Sequence, residues 1–412
     1  MTAWTGDKYA ESGRRCLAFG PHCAPIGRWR AGNLGAVSTH TRPDACPGAL
    51  QVHQAADGGL ARVRLPGGAL AAAQLRTLAG AARELGDGFL ELTSRGNVQL
   101  RGLAEGAPEQ LGERLAEAGL LPSQTHERVR NVLCSPLTGR HGGLVDMRAL
   151  VAEFDRRLCA DPELAELPGR FLATFDDGRG DVSGFAADVG VQALSAQQLA
   201  LVLAGQDSGL RIPSDGAVDV MLAATREFQR IRDEHWRLAE VPDGATRVRQ
   251  ALDGRRGEPL DVQPCPRGPV GWIDQDDGRV ALAATVALGR LSAQQADLLA
   301  VAEAPLVVTP WRSVLVCDLD EGVAEQLVGV LAGFGLVFDE ASPWLRVSAC
   351  AGAPGCAKSL ADVRADLSAA VAQGAIPLGE QQHWVGCERR CGRPVGAVVD
   401  VVATSTGYRV DR

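Results

Sequence analysis

Apolar residues along this chain follow two rhythms, and both rhythms occur twice. Over 69–85 they fall at i, i+3 and i+4 spacing, the period of a helix that buries one face. A short β-like run follows at 89–93, then a turn and a second run at 97–103. Another helical stretch spans 108–118 and closes on Gly119, the residue type suited to the left-handed position that ends a helix. An opening strand at 61–65 completes a β-α-β-β-α order, close to the ferredoxin-like unit. The same succession returns at 279–284, 292–302, 306–309, 313–319 and 323–332, and closes on Gly335.

An offset of 216 positions brings the two copies into register, Thr93 falling on Thr309. Leu103 falls on Leu319, Glu105-Gly106 on Glu321-Gly322, and Glu109-Gln110-Leu111 on Glu325-Gln326-Leu327. Arg130 meets Arg346, and Cys134 meets Cys350. Ungapped agreement over such a length marks an internal duplication. The expected fold class is α+β and pseudo-twofold, with two ferredoxin-like half-domains and two further α/β lobes. The expected divisions are an N-terminal arm (1–45), a first half-domain (46–121), a first lobe (122–270), a second half-domain (271–341) and a second lobe (342–412). Strands at 170–175 and 184–191 and a helix around 218–236 are expected in the first lobe. The Pro/Gly-rich stretch 258–271 reads as a linker.

Composition narrows the function classes. With 46% hydrophobic and 22% charged residues the chain has a core to bury, which excludes a disordered protein. The net charge of −8 argues against a general nucleic-acid binder. The longest apolar run, about 280–288, falls short of the ~20 residues a membrane span requires. Arg14-Arg15 precedes no long apolar stretch, so a cytoplasmic protein without an export signal is expected. Eleven cysteines in such a chain point to reduced thiols, some of them metal-binding. All but two of the 42 basic residues are arginine, so one arginine by itself says little.

Four cysteines form a constellation: Cys350-x5-Cys356, then Cys387-x3-Cys391. Two short loops that each supply a pair of thiolates suit an iron–sulfur cluster, here a [4Fe–4S] centre. A helix read at 358–373 would place Cys356 just before its positive end. Structural cysteines or a zinc site are the alternatives, and the five-residue gap fits usual zinc spacing poorly. Cys16, Cys23, Cys46, Cys134, Cys159, Cys265 and Cys317 show no comparable spacing. Arg140 stands where the first copy would need a counterpart of Cys356, so that copy would offer a cation in place of a cluster.

The stretch Thr93-Ser94-Arg95-Gly96-Asn97-Val98-Gln99 resembles the T-x-R-x-x-x-Q segment of the nitrite/sulfite reductase family. Arg130-Asn131-Val132, with Cys134 and Pro136, is similar to its R-N-[VI] segment, and the four cysteines resemble its cluster set. The resemblance runs from about residue 46 through most of the chain, duplication included. It implies a tetrapyrrole held beside a [4Fe–4S] cluster between pseudo-symmetric halves. Cys46-Pro47-Gly48 and the chain length are similar to one branch, the precorrin-3B synthases. The reductases carry a basic segment resembling P-R-K-F-K, whereas this chain reads Pro168-Gly169-Arg170-Phe171-Leu172.

That branch implies oxygen-dependent hydroxylation of precorrin-3A with γ-lactone formation, in aerobic cobalamin biosynthesis. It also implies a mononuclear non-haem iron beside the cluster. His53, His126, His141 and His383 are candidate ligands only by their proximity to the motif segments. Electrons ultimately from NADH would arrive through a separate reductase or ferredoxin, since no dinucleotide-binding G-x-G-x-x-G follows a strand. A polycarboxylate ring calls for guanidinium groups on several loops. Arg95, Arg101, Arg130, Arg140 and Arg170 are the expected set, with Arg389, Arg390 and Arg393 flanking the last cysteines. Two alternatives remain open: a siroheme-dependent nitrite or sulfite reductase, and a non-catalytic iron–sulfur tetrapyrrole-binding protein.

Overall fold

In the computed structural model the described residues are 44, 46–262, 265, 267–394 and 396–412. The expected N-terminal arm, apart from Asp44, lies outside them, as do Cys16 and Cys23. The first half-domain contains β1 (His53–Ala55), β2 (Gly58–Val63), β3 (Ala69–Leu70), β4 (Phe89–Leu92) and β5 (Val98–Leu103). Helices α1 (Ala72–Leu85) and α2 (Ala107–Glu117) cover one face of its sheet. Period-2 alternation in β2 sends Ala61 and Val63 into the core beneath these helices, and Arg62 to the opposite face. After α2, Gly119 at φ +70° closes a Schellman turn, Leu120 N–H donating to Leu115 O and Gly119 N–H to Ala116 O.

The first lobe is a six-stranded sheet containing β6 (Val132–Cys134), β7 (Ala173–Asp176), β8 (Val189–Ala193), β9 (Gln198–Leu203), β10 (Gln206–Pro213) and β11 (Arg255–Arg256). Its α-helices are α3 (Arg148–Cys159), α4 (Ala217–Ile231) and α5 (Gly244–Gln250). The expected strands lie slightly C-terminal of their predicted places, and the 218–236 helix stops at Ile231. The β9–β10 hairpin was not anticipated. Its two-residue turn, Ala204–Gly205, has φ of +50° and +76°, the twist a tight hairpin needs.

The second half repeats the first with β12 (Gly271–Asp274), β13 (Val280–Thr285), β14 (Arg290–Ser292), α6 (Ala293–Ala300), β15 (Leu306–Val308), β16 (Ser313–Leu319) and α7 (Glu321–Gly333). The halves exchange strands. β3 pairs with β15, Leu70 opposite Leu306, and β14 pairs with β4, Leu291 opposite Leu90. Each five-stranded sheet is thus completed by the other half, and one apolar core runs through both. The helix expected from residue 69 therefore begins at Ala72, because Ala69 and Leu70 are drawn into the partner sheet. The 216 offset also lapses before the first helix, since α6 has 8 residues where α1 has 14.

The second lobe contains β17 (Val347–Ala349), α8 (Val363–Ala372), β18 (Gln382–Val385), β19 (Val399–Thr404) and β20 (Gly407–Asp411). Strands β17, β18 and β19 are parallel and β20 is antiparallel, the same pattern as β6, β7, β8 and β9. The duplication therefore extends into the lobes.

Candidate functional site

Parallel strands β17 and β18 end side by side, so Cys350 and Cys387 emerge at one edge of their sheet. Cys350 N–H donates to Trp384 O at 3.0 Å, extending the ladder to the first cysteine. Gly386 N–H donates to Cys350 Sγ at 3.3 Å, a bond that favours the thiolate. A Cβ on Gly386 would stand 1.7 Å from Ser359 Oγ, so only glycine lets the two cysteine loops close on each other. The Cys391 thiol is pushed up by burial; Arg389 opposes this, and Cys350, Cys387 and Cys356 add to it. The four thiols thus share one electrostatic neighbourhood, and as a soft donor set with an N–H···S bond they fit a [4Fe–4S] cluster. The helix after Cys356 does not begin where expected. It starts at Val363, with Asp362 Oδ1 accepting from Ala365 N–H, so its positive end is satisfied by its own cap.

Across from the cysteines, the polar face of the first sheet carries a row of charged groups. Arg62 donates from Nε and Nη2 to Gln99 Oε1, and Gln99 Nε2 donates to Glu91 Oε2 at 2.8 Å. Glu91 Oε1 in turn meets Arg364 Nη2, on the first turn of α8, at 2.6 Å. This line joins the first sheet to the helix behind the cysteine loop. Arg312 closes the far end, donating to Gly392 O at 3.2 Å. Arg95 is half-buried, and burial together with Arg237 lowers its pKa to about 10. No hydrogen bond or ion pair holds the Arg95 guanidinium among the described residues. Nearby, Arg64 is 2% exposed, and among the described residues its Nη1 has no hydrogen-bond partner. Burial lowers its pKa to about 9. An arginine row with unfilled donors is what a polycarboxylate ring would require.

The five expected arginines separate. Arg95 faces this row. Arg101, Arg130 and Arg140 are instead gripped in both prongs by carboxylates of the chain: Asp57, Asp155 and Asp318 respectively. Arg101 also donates to Gly355 O at 2.7 Å, steadying the loop between Cys350 and Cys356. Arg170 lies 4.6 Å over the Trp236 ring. Arg390 and Arg393 both pair with Asp400. Arg62, Arg64, Arg312 and Arg364 were absent from the expected set, although Ala61-Arg62-Val63-Arg64-Leu65 alternates visibly.

The duplication could have supplied a second such face, on the other sheet. There Leu137, from the loop after Cys134, is 2% exposed and packs on Ile273, Ala281, Ala283, Val307, Leu315 and Cys317. Arg140 does not offer its charge to a ligand there; paired with Asp318, it seals this plug. A cavity of about 580 Å³ opens beside the same loop; in its wall Arg130, Arg140 and Arg148 are occupied by Asp155, Asp318 and Asp146, and Arg64 is the arginine there that keeps an open Nη1 among the described residues.

The histidines are occupied or remote. His126 is bonded at both ring nitrogens, to Ser123 and Thr125 on one side and Asp161 O on the other. His383 contacts Ser348 Oγ and Cys391 O. His141 faces Asp276 at 3.4 Å, and His53 lies exposed on β1. Among the described residues the carboxylates of Asp176, Asp177 and Asp181 come together. They are already filled, by backbone N–H groups of 178–183, by Arg179 and by Ser135. The described residues therefore offer no open ligand set for a mononuclear iron.

Residues 53–118 match the nitrite/sulfite reductase ferredoxin-like half domain. The chain is 25% identical to a precorrin-3B synthase of Sinorhizobium sp over 400 residues, covering 92% of this chain and 84% of that one. It is 28% identical to a ferredoxin sulfite reductase of Mycobacterium tuberculosis over 341 residues, covering 74% of this chain but 60% of that protein. A ferredoxin–nitrite reductase of Synechococcus elongatus is 27% identical, with 85% and 77% covered. The solved structure of the Mycobacterium tuberculosis NirA protein superposes with a TM-score of 0.70 at 23% identity, covering 85% of this chain and 74% of that one. No helix among the described residues is long and apolar enough to cross a membrane. The chain thus has the fold of the nitrite/sulfite reductase proteins, carries their ferredoxin-like half domain, and is similar to precorrin-3B synthase over most of its length.

Proposed function

We propose that the chain binds a carboxylate-rich tetrapyrrole between its halves and acts on it as a precorrin-3B synthase-like monooxygenase. One observation carries this reading: the Arg62–Gln99–Glu91–Arg364 line ties the arginine-bearing face of the first sheet to the helix that follows the Cys350–Cys356 loop. Cys350, Cys356, Cys387 and Cys391 would hold a [4Fe–4S] cluster, which supplies single electrons when bound. Arg95 and Arg62 would pair with ring carboxylates, and the Gln99–Glu91 line fixes the plane of the Arg62 guanidinium before the ring arrives. The reaction would place one atom of O2 on a ring carbon of precorrin-3A as hydroxyl and release the other as water. Two electrons from NADH with two protons, delivered by a separate reductase or ferredoxin, balance the water. A ring acetate closes the γ-lactone by bonding the neighbouring carbon of the same ring double bond, whose π bond is the one broken.

The 168–172 segment supports this reading over a siroheme reductase. Leu172 is buried in an apolar cluster and Arg170 lies against Trp236, so neither supplies the paired lysines that the reductase segment implies for an inorganic anion.

The test is the visible spectrum of anaerobically purified protein with its iron and labile sulfide content, followed by incubation with precorrin-3A, O2 and a reducing system. Cluster absorbance without siroheme bands, and a lactone product, are expected. Stoichiometric siroheme would give the protein to the reductases. Intact cluster with no lactone under competent conditions would leave a tetrapyrrole carrier.

A further inference from the structure

Left-handed backbone positions differ between the halves in an informative way. Two turns and one irregular strand position of the first half use glycine at positive φ: Gly67 at +65°, Gly96 at +62° and, within β5, Gly102 at +70°. Their second-half counterparts keep the angle but carry side chains: Leu288 at +57°, Arg312 at +59° and Asp318 at +62°. A Cβ in this region is strained, so each side chain calls for a reason. Leu288 packs on the apolar cluster of the second lobe. Asp318 holds both prongs of Arg140.

Arg312 has no comparable internal role. Among the described residues its guanidinium makes one hydrogen bond, from Nη2 to Gly392 O, leaving Nε and Nη1 open. Its stem lies on Gly289, where a Cβ would come 2.8 Å from Arg312 Cδ. At Gly392 a Cβ would stand 3.5 Å from Nη2. Gly289 therefore makes room for this side chain, whose tip reaches the residue that follows Cys391. Burial holds its pKa below the ordinary value; Glu91 opposes this and Arg364 adds to it.

The turns bearing Arg95 and Arg312 meet at the pseudo-twofold contact, where a Cβ on Gly96 would stand 3.1 Å from Val308 O. A flat ring with carboxylates around its rim can turn in its own plane when held from one side. Cations on both sides stop that rotation. We propose that Arg312 is a substrate-binding residue, its open donors taking a tetrapyrrole carboxylate beside the cysteine loop and opposite Arg95. The assignment rests on the tetrapyrrole reading and adds the second-half anchor to it.

The test uses uroporphyrin III, an octacarboxylic tetrapyrrole, titrated by fluorescence quenching into the full chain with its cluster. Arg312→Gly releases the backbone strain and removes the cation, so binding and stability should separate. At least about tenfold weaker binding is expected. Cluster absorbance should be unchanged and the melting temperature equal or about 1 °C higher. Arg312→Lys should recover part of the loss, keeping the charge without the fork. Binding within twofold of wild type in both Arg312→Gly and Arg312→Gln overturns the assignment. Loss of cluster absorbance in both variants also overturns it, in favour of a structural role. Failure of the wild-type protein to bind uroporphyrin III overturns the tetrapyrrole reading itself.

Discussion

At the scale of single residues, the molecule spends its many arginines mostly on its own carboxylates. A guanidinium bound in both prongs has few donors left for a ligand, which distinguishes Arg101, Arg130 and Arg140 from Arg95 and Arg312. The acidic residues show the converse cost. Asp181 is pushed up to about 8, chiefly by burial, with Asp176 adding and Arg179 opposing. An unfolded chain would release this proton near the ordinary value of about 4. Between those values the native state holds the extra proton, so Asp181 subtracts stability as pH rises through that window. In Asp181→Asn the amide oxygen still accepts from Ser135 Oγ and no charge develops. The variant is expected to melt a few degrees above wild type at pH 8.5 and level with it near pH 4. Thermal scans at both values check this, and an equal gap at each would refute the titration argument.

At the scale of elements, periodicity carried the order of helices and strands, and Gly119 and Gly335 marked two helix ends because only a left-handed closing residue fits there. The strand exchange was illegible. A two-residue strand such as β3 has no periodicity, and its partner β15 lies far along the chain. The site was legible to the same limited degree. The cysteine spacing is local and could be read, whereas the pairing of Arg140 with Asp318 spans 178 residues and could not. The replacement of Gly96 by Arg312 in the repeat was visible, but it acquired meaning only with the backbone angle. The Leu137 plug is likewise a product of packing. Leu137→Ala should empty a fully enclosed apolar site and cost about 2–5 kcal/mol. Urea unfolding of the two proteins measures this, and a loss under about 1 kcal/mol would mean that the sheet face collapses without the plug.

At the scale of the whole molecule, the exchanged strands decide how the halves hold together. The two half-domains share a single core, with Leu70 and Leu75 of the first half and Leu291 and Leu306 of the second in the same cluster. β14 completes the first sheet and β3 the second, so pulling the halves apart would open two sheet edges and expose that core to water. The connection between them is different in kind. Glu258, Pro259 and Leu260 are exposed, and among the described residues this stretch is tied to β10 by Arg211 on Glu258 O and by Leu260 N–H on Asp207, next to Gly257 N–H on Gly209 O. A protease site placed at 258–260 should therefore be cut readily in the native protein while the two fragments stay together. Size-exclusion chromatography of the cut protein is expected to give one peak at the intact elution volume, with cluster absorbance retained. Fragments that elute separately without denaturant would show that the strand exchange and shared core do not hold the halves, and that the covalent linker does.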